Sequence, residues 1–325
     1  MSFGLRFRQS TIPLFSAVLL AASAAPLAAQ VRSAFTEVHM GMPVRIVLHA
    51  PDDATARAAA IAAFRCVAEL EDTFSDYRPH SELRRLEPRA GSWVRVSSPL
   101  FDVLQRALDI ARLTDGAFDP TIGPVVALWR EARRTGTLPA PSALDSARQF
   151  VGFSLIELDT ARRAVRLART GMRLDLGGIA KGYILEAALH SLRERGTQAA
   201  LIEAGGDIVV GAPPPGKTGW RIDVPGAGRA FATRAAALRH TALATSGATF
   251  QYLERNGTRY SHIIDPRTGL AVTRPILVRV IANDAAVADA IATALSVDPT
   301  AADRLKHHFP DVLVDSVTVG PQHRR

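Results

Sequence analysis

Cysteine occurs once in this 325-residue sequence, at Cys66. One thiol excludes an intramolecular disulfide and any metal centre that needs several cysteines. Cys66 shares an apolar helical stretch with Ile61 and Phe64, so core packing is its expected role. Lysine is nearly as scarce, confined to Lys181, Lys217 and Lys306, and a lysine inside a motif therefore carries weight. Blocks of like charge are missing as well. The net charge of +8 is spread over scattered arginines, which reads as a solvated basic surface rather than the basic arm of a nucleic-acid binder. After residue 30 no apolar run approaches the ~20 residues that span a bilayer, and no solenoid repeat is present.

What is present begins with a leader. Arg6 and Arg8 precede an apolar run from Ile12 to Leu20 and a small-residue stretch from Ala21 to Ala29, the layout of a secretory signal. Cleavage is expected after Ala29, dividing the chain into a signal peptide, 1–29, and a working domain, 30–325. No cysteine lies near the cut to carry a lipid, so a free periplasmic protein is expected.

In the working domain, alternation over Thr36 to His49 predicts strand, broken at Met40-Gly41, and Asp52 to Phe74 reads as helix capped by Asp52 or Asp53. Ser98-Pro99 opens an amphipathic helix that stops at Asp115-Gly116. Thr135 to Ser142 reads as loop. Strands are expected at Trp93–Val96, Ser154–Leu158, Ala164–Ala168, Arg173–Leu176, Ala200–Glu203, Ile208–Val210 and Ile276–Ala282. A helix follows the glycine turn after Leu176 and ends near Gly196, and another covers Asp284 to Leu295. Asn256-Gly257 between Tyr252-Leu253 and Arg259-Tyr260 signals a two-residue hairpin. The irregular alternation of helix and strand predicts a mixed α+β fold, not a doubly wound sheet.

Four segments are unusual for scaffolding alone. In Asp115 to Pro124, glycines and prolines fix a non-repetitive backbone, so that Ala117, Phe118 and Asp119 would present amides and a carboxylate toward one point. In Leu174 to Tyr183, Asp175 ends a strand, Gly177-Gly178 permits close approach to the backbone, and Lys181 stands at a helix start, where bare amides attract phosphate. That segment contains neither Gly-x-Gly-x-x-Gly nor Gly-Lys-Ser/Thr. In Ser261 to Gly269, His262 is a proton carrier or ring contact by type, beside a turn at Asp265-Pro266. On the last helix Asp289 and Thr293, four apart, share a face among small and apolar neighbours, a carboxylate and a hydroxyl able to grip one hard cation.

In this order, together with Met40-Gly41, Tyr77, Ser81-Glu82-Leu83 and Glu203-Ala204-Gly205-Gly206-Asp207, these segments resemble the FAD:protein FMN transferases, the ApbE family, over nearly the whole working domain. The resemblance implies an ApbE-like α+β fold of two intertwined T-fold-like halves. It implies an FAD pocket lined by Met40, Tyr77, Ala117, Phe118, Asp119 and His262, with Asp175 holding the nucleotide and Lys181 near its phosphates. It implies Mg2+ held by the Ala180 carbonyl, Asp289 and Thr293. The reaction implied is attack of an acceptor threonine or serine hydroxyl on the FMN phosphate of FAD, with AMP released and a phosphoester left behind. His262 and Asp265 are both candidates for the base, and the acceptor is expected to be a respiratory redox subunit. FAD hydrolysis, with water in place of the hydroxyl, is the rival chemistry, and a non-catalytic periplasmic flavin binder is the rival class.

Four positions depart from the family pattern: Met42 replaces the usual threonine, Glu203 replaces asparagine, and Ala248-Thr249 replaces an acidic-aromatic pair. Thr245 to Thr249 also resembles the acceptor motif itself, but Leu243 stands where that motif has aspartate, so Thr249 is not expected to modify itself. Two outcomes follow for intact-mass measurement. Protein recovered from a secreting host should begin at Gln30, and incubation with FAD and Mg2+ should add no FMN mass to it.

Overall fold

The computed structural model describes residues 1, 30–247 and 252–318. Leader residues 2–29, Ala248 and Thr249 lie outside them. The chain opens as a hairpin, β1 (Val31–His39) and β2 (Met42–Ala50), turned by Met40 and Gly41 at φ of 52° and 73°. Asp52 accepts the Thr55 N–H at 2.7 Å and caps α1 (Asp53–Phe74). Ser81 caps α2 (Glu82–Leu86), and after β3 (Val94–Arg95) Ser97 caps α3 (Ser98–Leu113). Proline near the first helical position starts both α4 (Gly123–Thr135) and α5 (Pro141–Arg148), as its fixed φ and missing N–H allow. Strands β4 (Ile156–Asp159) and β5 (Ala164–Leu167) join β3 in a small sheet of order β3-β5-β4.

The second half runs through α6 (Ala180–Glu194), β6 (Ala200–Ala204), β7 (Asp207–Val210), α7 (Arg229–Ala235) and β8 (Thr241–Gly247). The hairpin β9 (Tyr252–Arg255) and β10 (Thr258–Ser261) turns at Asn256-Gly257. The chain then forms β11 (Ile276–Ala282), α8 (Ala285–Val297), α9 (Ala302–His308) and β12 (Leu313–Thr318). Seven strands make the main sheet, in the order β1-β2-β6-β7-β8-β11-β12. Every pairing in it is antiparallel, so the fold is mixed α+β.

Period-two alternation sorts the strand side chains between two layers. Ile46, Leu48, Ile202, Val278 and Val280 face the helical core of α1, α3, α6 and α8. Val47, Leu201, Val210, Leu243 and Ile281 pack on the other face under Trp220, Phe231 and Leu238. Helix α8 is the most enclosed: every residue except Thr293 is buried. It lies so close to α6 that a Cβ on Gly182 would stand 2.1 Å from the Ala285 carbonyl oxygen. Among the described residues no helix is long and apolar enough to cross a membrane.

Two local expectations are corrected. Arg173–Leu176 is not a strand. Its only bridge joins Arg173 to Ile122, because the segment beside it is the tight Asp119–Thr121 turn, and Asp175 N–H donates to the Pro120 carbonyl at 2.9 Å. The loop read as Thr135 to Ser142 is shorter, ending where Pro141 starts α5.

Replacing Gly182 with alanine forces α6 off α8. Urea unfolding of Gly182→Ala should show a loss of about 2–3 kcal/mol, the cost of overpacking a site whose neighbour is backbone.

Candidate functional site

The first turn of α6, β7 and α8 converge on one charged cluster. Lys181 Nζ contacts Asp207 Oδ2 and lies 3.4 Å from Asp289 Oδ1. The remaining carboxylate oxygens are also engaged: Asp207 Oδ1 accepts the Thr245 N–H at 2.9 Å, and Asp289 Oδ2 accepts the Gly182 N–H at 3.2 Å. The N-cap of α6, Ile179, supplies no side-chain acceptor, so a carboxylate from α8 serves one of the helix's orphan amides instead. Side-chain exposure is 17% for Lys181, 3% for Asp207 and 6% for Asp289. Two carboxylates against one ammonium leave one net negative charge in a nearly dry site. Burial pushes the Asp289 carboxyl up to about 6 although Lys181 pulls against it. Burial likewise opposes the Lys181 ammonium, but Asp207 and Asp289 outweigh it and hold that group above its ordinary value.

One turn along α8 from Asp289, Thr293 meets the glycine turn. A Cβ on Gly178 would lie 3.0 Å from Thr293 Oγ1 and 3.2 Å from the Phe118 ring, so only glycine lets the turn sit there. Ala180, the first residue of α6, is buried beside it. Thus Lys181, Ala180, Asp289, Thr293 and Phe118, expected to share a site, are gathered in one place. The tip of the first hairpin closes over them. A Cβ on Gly205 would stand 2.7 Å from Met42 Sδ and 4.0 Å from Lys181 Cδ, while Met40 packs against the main core.

A second cluster adjoins through the same turn. Asp175 Oδ1 accepts the Gly177 N–H at 2.8 Å, and Oδ2 accepts Arg130 Nη2 at 2.9 Å. Arg130 Nη1 contacts Asp76 Oδ2, and the guanidinium lies 4.1 Å from the Tyr77 ring centroid. Burial raises the Asp175 carboxyl, Asp76 adds to the rise, and Arg130 draws it back. A cleft of about 340 Å³ opens here, lined by Asp76, Tyr77, Arg84, Arg130, Arg134 and Arg173 among others.

Asp119 does not aim its carboxylate at the site. Oδ1 accepts the Thr121 N–H at 2.8 Å and hydroxyl at 2.6 Å, and Oδ2 accepts the Phe153 N–H at 2.8 Å, because a buried acid must be satisfied internally. Ala117 is buried beside it, leaving backbone as what this turn offers a ligand. His262 is exposed just past β10. Asp265 is bound by the Arg267 side chain at 3.0 Å through each oxygen, and Arg267 Nη1 reaches Asp298 Oδ2 at 2.8 Å. That network anchors the His262 loop to the C-terminal end of α8, about 13 Å along the helix from Asp289 at 1.5 Å per residue.

The sequence model of the ApbE family matches residues 40–312. The chain belongs to the ApbE family. It is 34% identical over 282 residues to the FAD:protein FMN transferase of Treponema pallidum, covering 80% of this chain and 76% of that protein. The Klebsiella pneumoniae protein of the same description is 30% identical over 266 residues, covering 80% and 81%. Among solved structures, the flavin transferase ApbE from Vibrio cholerae matches with a TM-score of 0.76 at 26% identity, covering 88% of this chain and 93% of that one. The ApbE protein of Thermotoga maritima matches with a TM-score of 0.72 at 30% identity, covering 87% and 94%.

In this ApbE-family chain three site residues escape the sequence reading. Asp207, the partner of Lys181, ends the Ala204-Gly205-Gly206-Asp207 run, and that run was the available signal. Arg130 and Asp76 gave none, being ordinary charges on a helix and in a turn. Residues 211–218 also spell Gly-x4-Gly-Lys-Thr, a phosphate-loop pattern. The structure disposes of it: Pro213, Pro214 and Pro215 lack amides, and the next helix starts only at Arg229. Asp289 and Thr293, one turn apart on α8, offer a carboxylate and a hydroxyl as hard donors beside a surplus negative charge, chemistry that fits a divalent cation such as Mg2+. Among the described residues no group of three or more His, Cys, Asp or Glu offers a metal site, so hydroxyl and backbone oxygens would be needed.

Asp298 gives a pH test of the loop anchor. Hydrogen bonds from Thr300 and Arg267 draw its carboxyl down to about 2. A depressed native value stabilises the fold above the unfolded value near 4 and is lost as pH falls through about 2. Asp298→Asn should therefore cost about 1–2 kcal/mol in urea unfolding at pH 7, with the gap to wild type narrowing steadily below pH 4.

Proposed function

We propose that this ApbE-family chain is a Mg-dependent FAD:protein FMN transferase. The observation that carries the reading is the Asp207–Lys181–Asp289 cluster at the open N-terminus of α6, with Thr293 against the Gly178 turn. A helix start with a lysine in its first turn draws an anionic diphosphate. Lys181, clamped by Asp207, is fixed before a ligand arrives, so its charge needs no reorganisation. Asp175 faces the nucleotide from the other end of the turn. Asp289, Thr293 and the Ala180 carbonyl would hold Mg2+, which would supply charge neutralisation at the diphosphate.

The acceptor's threonine or serine oxygen forms a bond to the FMN phosphorus, and the bond from that phosphorus to the oxygen bridging to AMP breaks. AMP leaves with the bridging oxygen, and a phosphoester joins FMN to the acceptor. The hydroxyl proton needs a base. His262 is taken as that base, because both oxygens of Asp265 are engaged by Arg267. The arginine-and-alanine leader supports a periplasmic location without a lipid anchor, and with it an exported or membrane-anchored respiratory redox subunit as acceptor.

The test mixes mature protein, FAD, Mg2+ and a candidate acceptor domain, and reads in-gel flavin fluorescence together with AMP. Asp289→Ala and Lys181→Ala should each lower labelling at least about 100-fold, and His262→Asn about 10²–10⁴-fold. Omitting Mg2+ should abolish labelling. Unchanged labelling in both charge variants would refute the assignment. AMP without adduct would make the chain an FAD pyrophosphatase, and FAD returned intact would make it a flavin binder.

A further inference from the structure

Helix α4 presents Ala127, Arg130, Glu131 and Arg134 to the cleft beside Asp175, positions spaced three and four apart on one helical face. Arg130 stands at the centre. Its guanidinium binds Asp76 with one terminal nitrogen and Asp175 with the other, the latter at 2.9 Å. The two carboxylates are 9% and 10% exposed as side chains, so like charges held that close to one another require a cation between them. The fork of an arginine reaches both at once, which the point charge of a lysine does not.

The flat face of the same guanidinium lies against Tyr77, 4.1 Å from its ring centroid. Tyr77 is 73% exposed, an unusual state for an aromatic side chain. Its backbone is nevertheless fixed, because the Tyr77 and Arg78 N–H groups both donate to Ser75 Oγ, at 3.2 and 3.1 Å. One ring face is covered by a guanidinium and the ring is left largely open to solvent. An immobilised aromatic ring of this kind is a platform for a planar heteroaromatic ligand.

We propose that Arg130 is a positioning residue for FAD: it holds the Tyr77 ring and the Asp175 carboxylate at one fixed spacing, so that a ring of FAD stacks on Tyr77 while its nucleotide reaches Asp175. The proposal rests on the reading of the chain as an FAD-using transferase and adds to it a residue outside the four motifs. Arg130 touches no reacting atom in this scheme. It acts through Tyr77 and Asp175.

The experiment is a double-mutant cycle on FAD binding, followed by flavin fluorescence quenching, with wild type, Tyr77→Ala, Arg130→Lys and the double variant. Arg130→Lys keeps the positive charge between the two acids, so the fold should survive with an unfolding midpoint near wild type, while the fork and the flat face are lost. Each single change should weaken FAD binding about tenfold, the worth of one stacked ring, and the double variant should be no more than about threefold weaker than either single one, because both remove the same platform. Repeating the titrations of Tyr77→Ala with FMN and with AMP identifies which ring sits on Tyr77, as only that half should lose affinity in this variant. Full FAD affinity in Arg130→Lys, or single effects that multiply in the double variant, overturns the proposal. Failure of the wild type to bind FAD or label an acceptor sinks the transferase reading instead, and the two failures cannot be confused.

Discussion

The structure turns on one largely buried ammonium, Lys181, held between two buried carboxylates, Asp207 and Asp289. Taking three charges out of water is costly, and replacing such a group with apolar side chains is often neutral or stabilising. The cluster is therefore poor evidence for stability and good evidence for chemistry. It also dictates geometry. Asp289 reaches α6 only because Gly182 allows α6 and α8 to touch, and Asp207 keeps its orientation only because the adjoining β8 lends it the Thr245 amide. The apolar faces of α1, α3, α6 and α8 against the sheet supply the stability that lets such a cluster persist.

The same turn divides two kinds of work. On one side of Gly177-Gly178, a surplus negative charge and hard oxygens suit a cation. On the other, Asp175, Arg130 and Tyr77 form a flat, partly exposed wall. Because Asp175 and Lys181 stand on either side of one short glycine-bearing turn, the distance between wall and charge is set by covalent structure more than by packing.

Much of this was legible in the sequence because it is local. The Asn256-Gly257 hairpin, the Asp52 cap, the amphipathic α3 and the i, i+4 pair on α8 all follow from neighbours a few residues apart. The small residues around Asp289 foretold its burial. What was not legible depended on partners far along the chain. Arg173–Leu176 has the composition of a strand but faces a turn. Asp119 looks like a ligand carboxylate until Phe153, distant in sequence, is seen to donate to it. Arg130 is one arginine among many until folding places it between Asp76 and Asp175. Helix α7, Arg229–Ala235, is short, and its burial rests on Phe231 and Ala235 meeting Trp220 and Leu238, a contact no short window of sequence reveals.

Because Thr293 alone on α8 escapes burial, that helix has a single doorway. The helix's one side chain open to solvent is thus a hydroxyl, set one turn from the buried Asp289 and against Gly178.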